Sequence, residues 1–151
     1  MKIGELGQQV GVDAETIRYY EREGLLAAPA RAANGYRAYG TAQIERLAFI
    51  RHCRALEMPL ADIKQLLSFV DTPTRDCADV NHLVDDHLAR VRARIKSMRA
   101  LEKQLTALRA QCQSSHPTKS CGILHDLGAA AHGEACACHV GRINENRTRI
   151  Q

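Results

Sequence analysis

The 151-residue sequence has no tryptophan, and aromatic residues make up only 4% of the chain. A core without large aromatic side chains must depend on Leu, Ile, Val and Ala, a composition that favours helices. The sequence also lacks an apolar run long enough to cross a bilayer, and residues 1–10 do not resemble a secretory signal. We therefore expect a cytoplasmic protein without membrane contact, built as a small domain joined to an oligomerisation element.

The first residues predict two short helices joined by a tight turn. Apolar residues recur at helical spacing from Ile3 to Val10, and Gly11 follows as a stop. Asp13 is suited to cap a second helix, whose apolar face carries Tyr20. This arrangement predicts a helix-turn-helix.

The segment 25–40 is too rich in Gly, Pro and Ala to continue the second helix. Its Asn34-Gly35 pair predicts a hairpin turn, which we interpret as a wing. Apolar spacing predicts two further helices, the second opened by Pro59. Because Pro73 breaks the pattern, we place a hinge at residues 71–75. Residues 1–70 are assigned to a winged helix-turn-helix domain with a helical connector.

Glycine and proline are both missing between Cys77 and Cys112. Apolar residues or cysteines occupy every seventh position of this segment: Cys77, Val84, Val91, Met98, Leu105 and Cys112. This repeat predicts a dimerisation helix at residues 76–112, with a length of about 50 Å. Its apolar stripe is too long for a small domain to cover, so we expect an antiparallel coiled coil with a second copy.

The six cysteines favour metal ligation, because structural disulfides are rare in a reducing compartment. Cys77 and Cys112 lie at opposite ends of one helix and cannot share an ion within one chain. In an antiparallel pair, Cys77 of one protomer stands opposite Cys112 of the other, and Cys121 can fold back across the loop that contains Pro117. We predict a three-thiolate site made by both chains, with a metal-binding loop and short helix at residues 113–127. The alternative, that Cys77 and Cys112 are small buried seam residues, leaves Cys121 unexplained.

Three thiolates suit soft or borderline ions, which leaves lead, cadmium, mercury and zinc as candidates. Zinc and cadmium usually take a fourth ligand, for which His116 is available, whereas three thiolates alone suit lead or mercury. Residues 128–151 are predicted to form a flexible tail. The tail contains a candidate second metal site, with adventitious binding as the alternative: His132, Cys136, Cys138 and His139. Cys53, on an apolar helix, is expected in the core.

The segment TIRYYEREGLL at residues 16–26, followed by Pro29, Arg31 and GYRAY at residues 35–39, resembles the MerR family of transcription regulators. The resemblance continues through RHCRALEMPLADIKQLL and the long helix, and covers residues 1–127. A cysteine at the position of Cys77 marks the sensors of divalent ions in that family. The contexts DCADVNHLVDDH and CQSSHPTKSCGIL look most like the lead- and cadmium-responsive branch. Mercury sensors share the cysteine spacing, so mercury(II) stays an alternative to lead(II), cadmium(II) or zinc(II).

The resemblance implies a homodimer bound to a pseudo-palindromic operator in double-stranded promoter DNA. It places the helix at residues 13–23 in the major groove and the wing on the DNA backbone. The implied DNA-binding residues are Thr16, Arg18, Tyr19, Arg22, Tyr36, Arg37 and Tyr39. Metal-bound family members distort the promoter so that RNA polymerase can use it, and the expected targets are heavy-metal resistance genes. We expect the metal to act through the hinge on the separation of the two DNA-binding domains.

Three other classes fit the sequence less well. A multidrug-type regulator would share the DNA-binding domain, but it needs an aromatic-lined effector pocket and no aromatic residue follows residue 71. A thiol redox enzyme or metal carrier would use a C-x-x-C motif, and the tail has only Cys136-Ala137-Cys138. No nucleophile, base and orienting group occur together, so we expect no enzymatic activity. The net charge of +4 is compatible with a nucleic-acid partner without establishing one.

Overall fold

The computed structural model describes residues 1–132, which form six α-helices and a 3-10 turn at Thr118–Ser120. The helices are α1 (Ile3–Val10), α2 (Ala14–Arg22), α3 (Thr41–Ala55), α4 (Leu60–Val70), α5 (Ala78–Ala110) and α6 (Gly122–Ala130). Within residues 1–132 the chain forms no strand, and an isolated antiparallel bridge joins Arg31 to Arg37. The predicted mainly helical fold is confirmed, and the wing is a hairpin held by one bridge. None of these helices combines the length and apolar character needed to cross a bilayer.

The core of the N-terminal domain is aliphatic, as the shortage of aromatic residues predicts. Its fully buried side chains are Leu6, Ile17, Leu25, Leu26, Leu47, Ile50, Ile63 and Leu67. Cys53 lies in this core, where burial raises the pKa of its thiol, so its predicted structural role is confirmed. A Cβ on Gly7 would collide with the carbonyl oxygen of Val12, so the turn between α1 and α2 requires glycine there.

Basic side chains of α3 and α4 hold the carbonyl ends of the helix-turn-helix. Arg51 donates to the carbonyl of Val10 at the end of α1 (2.7 Å), and Lys64 donates to the carbonyl of Glu23 after α2 (3.1 Å). Cations at these positions satisfy carbonyls that no helix residue can pair and complement the helix dipoles. These contacts orient α2 within the domain.

Residues 71–77 connect α4 to α5 and are tied to the domain at their start. Arg46 donates to both carboxylate oxygens of Asp71 (2.6 and 3.1 Å) and to the carbonyl of Leu25 (2.7 Å). The hydrogen bond from Arg46 lowers the pKa of Asp71. The guanidinium of Arg75 lies 4.0 Å from the ring centroid of Phe69. The role of residues 71–75 as a hinge stays a prediction.

Helix α5 has 33 residues, from Ala78 to Ala110, and is two residues shorter at each end than the predicted 76–112. The carboxylate of Asp76 accepts from the amide of Ala78 (2.7 Å), which stops the helix from extending backwards. At the other end the amide of Cys112 bonds to the carbonyl of Arg109, three residues back, in a tightened turn. Cys77 and Cys112 therefore flank the helix.

The chain divides into two compact units, and the division falls inside α5. The first unit is Met1–His87, and the second begins at Leu88. In the first unit, Leu83 is buried and Val80 packs against the core of α1 to α4. The first turns of α5 thus belong to the first unit, although the sequence placed the boundary at residues 71–75.

Helix α6 extends to Ala130, three residues past the predicted boundary at Leu127. The alanines that follow Gly128 have the highest helix propensity of any residue, which offsets the cost of that glycine. The predicted tail at residues 128–151 therefore begins with helical residues.

Candidate DNA-binding surface and metal centre

Helix α2 begins at the cap that the sequence predicts. The carboxylate of Asp13 accepts from the amide of Thr16 (2.8 Å) and from its hydroxyl (2.7 Å). The hydrogen bond from the Thr16 amide lowers the pKa of Asp13, so the carboxylate stays charged at the positive end of the helix. The hydroxyl of Thr16 is therefore engaged in the cap, and its contact with DNA stays a prediction.

The outward face of α2 carries the other predicted DNA-binding residues. Ile17 and Tyr20 are buried against the core, so Arg18, Tyr19 and Arg22 are exposed on the opposite side. The guanidinium of Arg22 lies 6.0 Å from the ring centroid of Tyr19. This face presents two cations and an aromatic ring to solvent.

The wing is a hairpin whose turn is Asn34-Gly35, as predicted. Gly35 has a φ of +81°, which a side chain rarely adopts, and the Asn34 side-chain oxygen accepts from the amide of Tyr36 (3.2 Å). The base of the wing pairs with the start of the chain through the backbone of Tyr39. The amide of Tyr39 donates to the carbonyl of Met1 (2.9 Å), and the carbonyl of Tyr39 accepts from the amino group of Met1 (3.2 Å). The N-terminus thereby fixes the wing.

Glu21 joins α2 to the wing, a role that sequence analysis missed. Its carboxylate, only 7% exposed, accepts from Arg37 (2.5 Å) and from the hydroxyl of Tyr39 (2.7 Å). Tyr39 is itself 4% exposed, and burial followed by the hydrogen bond to Glu21 raises the pKa of its hydroxyl. In this structure Tyr39 supports the wing from inside the domain, and a contact between Tyr39 and DNA stays a prediction. The sequence offers no local signal for this role, because Arg37 and Tyr39 lie 16 and 18 positions from Glu21.

A groove opens between α2 and the wing, with basic and aromatic walls. It is lined by Lys2, Ile3, Arg18, Tyr36, Arg37 and Tyr39. Tyr36 is 66% exposed, and the ammonium of Lys2 lies 5.9 Å from its ring centroid. Lys2 is a further cation of this surface that sequence analysis missed, because it precedes the helix-turn-helix along the chain.

The predicted coiled-coil seam is an exposed apolar stripe along α5. Its large side chains are between 41 and 64% exposed at Val84, Leu88, Ile95, Met98 and Leu105. Exposed side chains of this size at seven-residue spacing indicate a surface that pairs with another helix.

Cys112 and His116 come together at the end of α5. The sulfur of Cys112 lies 3.5 Å from Nε2 of His116 and 3.4 Å from the carbonyl oxygen of Ser114. Nδ1 of His116 lies 3.2 Å from the carbonyl oxygen of Pro117. A carbonyl only accepts, so the tautomer that makes this bond carries its proton on Nδ1 and leaves the Nε2 lone pair available to a metal ion. Cys112 and His116 thus bring a sulfur and an imidazole nitrogen together at this end of α5.

Cys121 immediately precedes α6, which folds back on the end of α5. The side-chain amide of Gln111 donates to the carboxylate of Asp126, and Gly122 lies close enough to Gln111 that an added Cβ would contact it. Within residues 1–132 no three His, Cys, Asp or Glu side chains are grouped so that they could hold a metal. Cys77 is exposed before α5, in the first unit. One chain thus brings Cys112 and His116 together but does not complete the predicted site.

The candidate second site is only partly described by the structure. His132 is exposed after the end of α6. Cys136, Cys138 and His139 lie outside the described residues, so the second site stays a prediction.

Two family models match the chain. "MerR HTH family regulatory protein" matches residues 1–69, and "MerR, DNA binding" matches residues 44–108. The transcriptional regulator ZntR of Escherichia coli K12 is 34% identical over 139 residues, which are 91% of this chain and 99% of that protein. The chain belongs to the MerR family of helix-turn-helix regulators, which confirms the resemblance found in the sequence.

Two solved structures resemble the chain along most of its length. The transcription regulator PbrR691 of Ralstonia metallidurans CH34 in complex with lead(II) is 47% identical, with a TM-score of 0.75 over 84% of this chain and 98% of that one. MerR of Bacillus megaterium MB1 in complex with mercury(II) is 31% identical, with a TM-score of 0.61 over 85% of this chain and 99% of that one.

Proposed function

We propose that this chain is a metal-responsive transcription regulator. It binds promoter DNA as a homodimer in the cytoplasm and activates heavy-metal resistance genes by distorting the DNA when lead(II), cadmium(II) or zinc(II) binds. The observation that carries this proposal is the ligand pair Cys112 and His116 at the end of a helix that begins next to Cys77. Membership in a family of regulators agrees with the expectation that the chain is not an enzyme.

The dimer forms through α5 and is antiparallel. In that arrangement Val84 stands opposite Leu105 of the second protomer, Val91 opposite Met98, and the exposed seam is covered. The charge pattern of the helix supports the same direction. Acidic residues lie at its start (Asp79, Asp85, Asp86), and basic residues predominate from residue 90 onward (Arg90, Arg92, Arg94, Lys96, Arg99, Lys103, Arg109), where Glu102 is the one acidic residue of the helix.

An antiparallel pair places the acidic start of each helix near the predominantly basic end of the other. A parallel pair would place the two acidic starts side by side and the two basic stretches side by side, which is unfavourable. The distribution of charge along the helix therefore favours the direction that the metal site requires.

The metal is held by Cys112 and Cys121 of one protomer and Cys77 of the other, with His116 as a candidate fourth ligand. The contact between Cys112 and His116 and the return of α6 onto α5 support ligands from this end of the helix. The relative crystallised with lead(II) favours lead. Mercury(II) is the second candidate, because the mercury-bound relative covers the chain equally well.

The DNA-binding surface combines the outer face of α2 with the groove at the wing. Arg18, Tyr19 and Arg22 lie at the major groove, and Lys2 and Arg37 lie near phosphates. The two-fold axis of the dimer matches a pseudo-palindromic operator. Metal binding changes the arrangement of the two DNA-binding units, the promoter is distorted, and RNA polymerase initiates transcription.

Titration of the purified protein with lead, cadmium, zinc and mercury tests the proposal. We expect one tightly bound lead or cadmium ion per chain, together with a metal-dependent rise in transcription from the target promoter. A second ion per chain would place a further site in the tail. Tight binding of magnesium or calcium in place of these ions would contradict a thiolate site.

Lys2→Ala tests whether the groove between α2 and the wing contacts DNA. Removing one phosphate contact is expected to weaken operator binding about 3- to 10-fold, equally for different operator sequences, and to reduce the salt slope by about one. Lys96→Ala removes the same charge from α5 and serves as the control. Fluorescence anisotropy at several salt concentrations measures both quantities. An unchanged salt dependence of operator affinity in Lys2→Ala would show that Lys2 does not contact DNA.

A further inference from the structure

The first turns of α5 have two faces with different partners. Leu83 and His87 are 8% and 9% exposed, and Val80 packs with them against the N-terminal core. Val84 and Leu88 are 43% and 41% exposed and belong to the seam. The same stretch of helix is therefore docked on its own DNA-binding unit and available to the second protomer.

His87 supplies the polar contact of the docked face. Its Nε2 lies 2.8 Å from the carbonyl oxygen of Leu56, the residue that follows α3. Because that oxygen only accepts, Nε2 carries the proton and donates, and the imidazole caps a carbonyl that α3 leaves unpaired. Nδ1 of His87 is buried without a hydrogen-bond partner.

We propose that His87 is a positioning residue that fixes the start of α5 to α3 and so transmits metal binding to the DNA-binding helix. This inference rests on the proposed function. Cys77 lies ten residues before His87 in the first unit, so a metal ion that holds Cys77 acts on the unit that binds DNA. Helix α3 in turn holds the end of α1 through Arg51 and the segment after α2 through Arg46, which donates to the carbonyl of Leu25.

Two substitutions separate the hydrogen bond from the packing. His87→Leu keeps an apolar side chain in the docked face and removes the donor, whereas His87→Gln retains an amide that donates. His82 is exposed on the same helix, and His82→Leu and His82→Gln are the matched controls. If His87→Leu does not fold, His87→Met replaces it, because its flexible apolar side chain adapts to the space.

The first measurement is amide hydrogen exchange in the metal-free dimer. Loss of one hydrogen bond is expected to raise exchange in residues 78–87 about fivefold in His87→Leu, and His87→Gln should remain within about twofold of the parent. The second is lead-induced distortion of an operator that carries a fluorescent base analogue at its centre. The lead-induced fluorescence change should be at least about fivefold smaller with His87→Leu than with the parent. The lead affinity of His87→Leu should stay within about twofold of the parent, and its metal-free operator affinity within about threefold.

The proposal is overturned if His87→Leu keeps both parental exchange and the parental lead response, or if His87→Gln is as impaired as His87→Leu. It is also overturned if the His82 variants lose the response equally. A parent protein without any lead response would contradict the proposed function and, with it, the transmission. In that case the exchange measurement still decides whether His87 holds α5 to α3.

Discussion

Cys77→Ser is expected to abolish transcriptional activation by lead while leaving operator binding within about threefold of the parent. The serine hydroxyl is a poor ligand for a soft ion, so lead affinity should fall by about 100-fold or more. Cys77 lies before α5 and outside the groove between α2 and the wing, so the DNA contacts do not depend on it. Lead titration, operator binding and transcription in vitro with the same preparation measure the three quantities.

A mixed dimer tests whether the two protomers share each site. One subunit carries Cys77→Ser and the other Cys112→Ser, and each homodimer of these variants has no intact site. In the shared arrangement, the mixed dimer has one complete site, made by Cys77 of the second subunit with Cys112 and Cys121 of the first. We expect one tightly bound lead ion per mixed dimer, compared with two in the parent dimer.

A site made within one chain gives a different result, because both subunits of the mixed dimer would then be defective. A mixed dimer that binds no lead would therefore contradict the shared site. Cys53→Ser is the control, because this buried core cysteine is not a predicted ligand. Its lead stoichiometry should equal that of the parent.

Local sequence signals were sufficient for most of the fold. The spacing of apolar residues predicted the helices, the Asp13 carboxylate is the cap of α2, and the turn at Gly35 has the positive φ that Asn-Gly predicts. These features depend on residues a few positions apart. The amino-acid sequence alone was therefore enough to predict them.

Contacts between residues that lie far apart along the chain could not be predicted from the sequence. Glu21 binds Arg37 and Tyr39, 16 and 18 positions away, and His87 bonds to Leu56, 31 positions away. A histidine in a heptad pattern has no local signal that distinguishes burial against its own domain from exposure. For the same reason the sequence placed the boundary at residues 71–75, although α5 is docked on the first unit as far as His87.

The candidate metal site was only partly predictable for a related reason. Cysteine spacing indicates the proposed ligands, and the structure adds the contact between Cys112 and His116 and the fold of α6 onto α5. In the proposed site the remaining ligand comes from a second protomer, so its position depends on the direction and register of the proposed coiled coil.

Met98→Lys is expected to weaken the dimer by at least about 100-fold. Met98 is 59% exposed in the single chain and stands opposite Val91 of the second protomer in the proposed antiparallel seam. The substitution buries one ammonium per subunit in an apolar seam, next to Arg99 and a predominantly basic stretch of helix. An unpaired buried charge costs about 3 kcal/mol or more, which corresponds to at least about 100-fold in the dissociation constant. Sedimentation equilibrium measures the change.

Ala93→Lys is the control, because it adds the same charge to an exposed position on the outer face of α5. It should leave the dissociation constant within about threefold of the parent. Because the proposed metal site takes ligands from both protomers, Met98→Lys should also lose tight lead binding at protein concentrations below its dissociation constant and recover it above that concentration. Tight lead binding by a Met98→Lys monomer would show that one chain holds the ion alone. Retention of the dimer would place the pairing of α5 in another register or on another face.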